Sequence, residues 1–118
     1  MAKTLHFKKS AMSFAPFGHK GPGTAEIARL VGPDVSTSMG GGIARFDGCA
    51  VEWTVLYDEF ICVLEGRYKM KAGGEMFEGG PGDVFWIPAH TPLVYMGDKA
   101  TVFYTVWPVD WRKRHGME

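Results

Sequence analysis

Net charge, long apolar runs and cysteine are nearly missing from this sequence, and each absence closes off a class of function. The 13 Lys+Arg and 13 Asp+Glu cancel at pH 7. Without a basic field the chain has no broad grip on a phosphate backbone, so no nucleic-acid partner is expected. No apolar stretch approaches the roughly 20 residues of a membrane-spanning helix, and no membrane partner is expected. The opening Met1-Ala2-Lys3-Thr4-Leu5-His6 lacks the apolar core of a secretory signal, which implies a cytoplasmic chain. Only two cysteines occur, Cys49 and Cys62. In a reducing compartment both should stay free thiols, packed as small hydrophobes. No segment carries a 3.6-residue apolar period of helical length, and there is neither a repeat nor a linker.

What is present describes one small all-β domain. The chain has 118 residues, 46% hydrophobic and 14% aromatic, enough for a real core. Its 16 Gly and 7 Pro punctuate short apolar segments at close intervals. Strands are expected at 43–46, 51–57, 60–64, 67–72, 75–78, 84–87, 93–96 and 101–107. Gly73-Gly74 forms a tight hairpin turn between two of them. Residues 24–31 read as helix or strand, and Ser36 to Gly42 as a loop. Residues 1–23 read as an extended arm that lays Phe7, Phe14 and Phe17 on the body, residues 24–118. The basic tail Trp111-Arg112-Lys113-Arg114-His115 reads as a solvated terminus. A barrel or two-sheet jelly roll fits this pattern best.

Two stretches carry a family resemblance. One is Glu59-Phe60-Ile61-Cys62-Val63-Leu64-Glu65-Gly66, the other Gly82-Asp83-Val84-Phe85-Trp86-Ile87-Pro88, with residues 67–81 between them. Together they resemble the two motifs of the cupin superfamily, whose fold is a jelly-roll barrel. The run Glu52 to Glu59, the loop Ser36 to Gly42 and the ending Val102 to Trp111 resemble one branch more closely, the ethanolamine-utilisation (EutQ-type) cupins. That branch implies a bacterial cytoplasmic protein that forms a dimer.

The metal ligands of the superfamily are replaced. Its first motif carries a His-x-His pair and a Glu, its second a third His. With a four-residue spacing to Glu59, the paired imidazoles fall on Glu52 and Thr54, and the third on Leu93. No His-x-His occurs in the chain. The resemblance therefore implies no standard metal, leaving Glu52, Glu59 and His90 as a weak improvised divalent site. Gly40-Gly41-Gly42 is no phosphate cradle, because no helix follows it.

The candidate catalytic residues are Glu59, Glu52 and His90, with Thr54, Tyr57 and Tyr104 as ligand-binding residues. Strand parity places Glu52 and Glu59 inward. A carboxylate pair in a dry barrel repels itself, which raises one pKa and supplies an acid and a base. Such acids favour a cationic or hydroxyl-rich small molecule. The competing reading is a non-catalytic dimeric interaction module, and a third is an improvised metal enzyme. An open interior favours the first, a filled one the second. Trp53, Trp86 and Trp107 are expected to pack the core or a dimer interface. A homodimer is expected, with the arm laid on the partner's sheet edge.

Overall fold

The computed structural model describes residues 3–117. The first two residues of the expected arm and the last residue of the body lie outside that range. Eight strands follow one another: β1 (Ala15–Pro16), β2 (Thr24–Val31), β3 (Gly40–Asp47), β4 (Ala50–Thr54), β5 (Asp58–Ala72), β6 (Glu75–Gly79), β7 (Val84–Ile87) and β8 (Pro92–Trp107). A single helical turn, α1 (Trp111–Arg114), ends the chain.

The two long strands, β5 and β8, organise the rest. They run antiparallel from Asp58 opposite Trp107 to Ala72 opposite Leu93. At one end β8 also pairs with β3, and β5 with β7. At the other end β8 pairs with β4, and β5 with β6. Each long strand thus serves two sheets, which face each other across the core as a jelly roll. The pairing path runs β1-β2-β3-β8-β5-β6 and does not close on itself.

Sequence punctuation suggested two pairs of short strands where each long strand is continuous. Gly66 and the segment Gly97-Asp98-Lys99 looked like turns, yet they are bends within paired strands. The register of β5 on β8 slips at Val63/Glu65 and Glu65/Arg67. Both Gly66 and Lys99 have positive φ, at 72° and 48°. A Cβ on Gly66 would overlap the Lys99 carbonyl, so this crossing of two bent strands needs glycine. Residues 24–31 resolve as strand. Gly40-Gly41-Gly42 opens β3 rather than closing a loop, and a side chain at Gly42 would collide with the Ala28 carbonyl of β2.

The core lies between the sheets. Tyr68, Ile61, Met70, Ile87, Val55, Val63 and Val102 are its largest fully buried side chains. Each contributes about 1.5–3 kcal/mol through removal of its apolar surface from water. The N-terminal segment lies on its own barrel: β1 pairs with β2, and Phe17 stacks 5.8 Å from Phe46. Phe14 sits under the Arg45 guanidinium. Cys49 and Cys62 are both free. Among the described residues no helix is long and apolar enough to cross a membrane.

Candidate functional site

The inward face of this sandwich does not fill. A cavity of about 700 Å³ opens between the sheets, with Glu59, Tyr57, Tyr95 and Tyr104 in its wall. Alternation along β5 turns Glu59, Ile61 and Val63 inward and leaves Phe60 and Leu64 outside. Glu59 is 4% exposed and is the one buried charged-type side chain among the described residues. The Tyr95 hydroxyl, from β8, donates to Glu59 Oε1 at 2.8 Å. Oε2 has no protein partner, yet no buried side-chain polar atom among the described residues is unsatisfied, so this oxygen is open to the cavity. Trp53 Nε1 donates to the Tyr57 hydroxyl at 3.1 Å, which fixes that hydroxyl in the cavity wall beside Tyr95. A Cβ on Gly42 would stand 2.9 Å from the Tyr104 hydroxyl, so the glycine makes room for it.

Burial sets the protonation of this cluster. It pushes Glu59 up to about 8, against the opposing hydrogen bond from Tyr95. Glu59 is therefore chiefly a neutral carboxylic acid at pH 7. Tyr104 is pushed up to about 12 by burial, with the Arg29 charge pulling it back. Tyr57 and Tyr95 rise for the same reason, burial first and the neighbouring Glu59 second. The shift on Glu59 was expected from an acid pair. Its cause is desolvation instead, and no second carboxylate contributes.

The reason is where Glu52 lies. In β4 the half-buried, core-facing residues are Val51 and Trp53, while Glu52 and Thr54 are exposed. The inward parity assigned to Glu52 is thus corrected. β4 stops at Thr54 and the chain turns before β5 begins at Asp58, so alternation cannot be counted across the break. Glu52 belongs to the cavity's rim, and Thr54 does not line it. His90 is corrected too. It is exposed in the turn after Pro88, at φ 73°, its N–H bonded to the Val55 carbonyl, and its ring 6.4 Å from that of His115. It does not line the cavity. Of the six candidates, Glu59, Tyr57 and Tyr104 come together around it.

A jelly roll of this kind implies a metal, and the donor set does not fit one. No group of three or more His, Cys, Asp or Glu side chains among the described residues could hold an ion. The improvised trio of Glu52, Glu59 and His90 is dispersed over rim, wall and outer turn.

Sequence reasoning missed Tyr95 and the cavity's entrance. Tyr95 alternates inward with Leu93, a signal the strand pattern already held. The exposed cations in the cavity's lining, Lys20 of the N-terminal segment, Arg29 of β2 and Arg112 of the tail, mark its entrance, and half-buried His19 and Trp111 also line it. Trp111 packs 5.0 Å from Tyr57 and 5.9 Å from Trp53, which anchors the start of the tail, while Arg112, Lys113, Arg114 and His115 stay exposed as expected.

Residues 14–113 match the family described as ethanolamine utilisation protein EutQ. The chain belongs to the EutQ family. The Salmonella typhimurium protein named acetate kinase EutQ is 30% identical over 104 residues, 87% of this chain and 45% of that protein. The chain thus spans about half the length of this curated relative. A crystal structure described as ethanolamine utilization protein Q, from Salmonella typhimurium LT2, superposes with a TM-score of 0.78 at 28% identity, covering 86% of this chain and 84% of the other. An RmlC-like cupin from Shewanella frigidimarina matches with a TM-score of 0.70 at 17% identity, covering 92% and 95% of the two chains, and shows the shared cupin fold.

Proposed function

We propose that this EutQ-family cupin is a cytoplasmic small-molecule protein whose barrel binds, and exchanges a proton with, a small polar metabolite without the usual cupin metal. The observation that carries this is Glu59 in the cavity wall, one oxygen held by Tyr95 and the other open to the cavity. A carboxyl poised near neutrality matches the requirement for general acid–base work. An interior that stays open supports this over a purely structural module. The relative's name denotes phosphoryl transfer, but the glycine run that might cradle a phosphate here lies inside β3, against Ala28 and Tyr104. The assignment is therefore made to the barrel's acid and not to a nucleotide site. A metabolite screen read by thermal shift tests it. Hits should raise the melting temperature of the native chain and lose their effect in Tyr95→Phe with Glu59→Gln. Hits indifferent to that double change would remove the barrel from the reading.

Homodimerisation belongs to the same proposal, through a different surface from the arm. Phe60 and Leu64 of β5, Val84 and Trp86 of β7, and Phe103 and Trp107 of β8 are exposed on the outer face of adjoining strands. The outward positions between them, Cys62 and Thr105, add no charge. Half-exposed side chains of this size show roughly 600 Å² together. Two such faces would bury on the order of 1,200 Å², the lower end of a stable interface. A second copy is the occupant that matches every chain's own patch. Light scattering should give a dimer at micromolar concentration, and Trp86→Glu with Phe103→Glu a folded monomer. A monomeric native chain would refute the interface.

A further inference from the structure

The cavity's entrance and its interior carry opposite kinds of polarity, and together they select a ligand charge. We infer that the ligand is a small organic anion, with its acidic group at the entrance and its uncharged, oxygen-bearing part inside. This rests on the barrel being the ligand site.

Three cationic side chains in the cavity's lining are exposed and so stand at its entrance: Lys20 from the N-terminal segment, Arg29 from β2 and Arg112 from the tail. One acid, the exposed Glu52, stands among them. In a chain whose formal charges cancel, this is a local excess of positive charge around one opening. Low-dielectric walls focus such a field on whatever enters. Arg29 acts on the interior as well, since its charge draws the Tyr104 hydroxyl downward against burial. The interior offers donors and no compensating anion. Glu59 is neutral at pH 7, and Tyr57 and Tyr104 bring their hydroxyl groups to the cavity wall. A cationic ligand would pass a cationic entrance and then find no charged partner, at the desolvation cost of a lone ion. An organic acid meets the reverse: guanidinium groups for its carboxylate or phosphate, and O–H donors for its hydroxyl or carbonyl oxygens. The ligand class read from two inward acids is thereby reversed, because one acid points out and the other is neutral.

The test compares probes of similar size and opposite charge on the full chain at matched ionic strength: lactate and glycerol 3-phosphate as anions, ethanolamine as cation, glycerol as the neutral control. Calorimetry gives the affinity, and the ring resonances of Tyr95 and Tyr104 report whether the barrel is occupied. At least one anion should bind, shift both tyrosines, weaken with added salt, and lose about tenfold in affinity in Arg29→Gln, the value of one charge-assisted hydrogen bond. Arg112→Gln should act in the same direction, which guards against an Arg29 variant that folds poorly. Tighter binding of ethanolamine or glycerol than of either anion, with the tyrosines shifted, overturns the anion class and leaves the barrel site standing. Anion binding that leaves the tyrosine resonances unmoved overturns the barrel site itself. No binding by any of the four overturns both.

Discussion

The two faces of β5 and β8 each carry exceptions to the usual half-buried sheet. Their inward side carries an acid and tyrosines, Glu59, Tyr95 and Tyr104, around open space. Their outward side carries Phe60, Leu64, Phe103 and Trp107 in the open. Ordinary alternation puts apolar residues on the core and polar ones in water. Here Glu59, Tyr95 and Tyr104 sit inward among the apolar core residues Ile61, Val63 and Val102, and an apolar patch shows on the outside. The comparison teaches that period-2 alternation finds the two faces, while the exceptions on each face mark a cavity and an exposed patch.

The sharpest way to break this contrast is through Glu59. Its carboxyl moves from 4.5 to about 8 on folding, through burial. Below pH 4.5 both folded and unfolded chains hold the proton, and the group costs nothing. Between pH 4.5 and 8 the folded chain keeps a proton that the unfolded chain releases, so stability falls as pH rises. Above 8 the full cost is present, on the order of 5 kcal/mol at roughly 1.4 kcal/mol per unit. Glu59→Gln should flatten this slope, matching the native chain to within about 1 kcal/mol at acid pH and exceeding its stability above pH 8. Urea titrations across pH measure it. Parallel profiles for the two proteins would show that Glu59 is ionised in the fold.

A smaller effect compares neighbours on β5. Ile61 is 1% exposed and Phe60 is 51% exposed. Ile61→Ala should cost about 3 kcal/mol, from lost burial and the hollow left behind. Phe60→Ala should cost the isolated chain less than about 1 kcal/mol while loosening self-association. Chemical denaturation at two protein concentrations separates the terms, because only the second depends on concentration. Equal costs at high dilution would place the Phe60 ring in the core.

Much of this was legible in the chain. The strand segments and the hairpin at Gly73-Gly74 follow from punctuation and period, and the inward facing of Glu59 follows from strand parity. The continuity of β5 and β8 was not, because Gly66 and Lys99 carry the same signals whether a chain reverses or merely bends. The facing of Glu52 was lost at the break between β4 and β5, where local parity has no meaning. The entrance was invisible for a different reason. Lys20, Arg29 and Arg112 are far apart in sequence, and each alone is an ordinary surface cation.

Glu52 gives the smallest effect and tests that last distinction. If it faced Glu59 inside the barrel, Glu52→Gln would relieve a buried repulsion, lower the Glu59 pKa and shift the pH profile by an amount comparable to Glu59→Gln itself. On the exposed rim it does neither. Its substitution should leave stability within about 0.5 kcal/mol of the native chain at every pH, as for most surface changes. It should also improve the binding of an organic anion by roughly twofold, since it removes one negative charge from a solvent-screened, positively charged opening. Calorimetry with lactate or glycerol 3-phosphate, beside a pH series of urea melts, reads both quantities. A shifted pH profile in Glu52→Gln would return this carboxylate to the interior and restore the paired-acid reading.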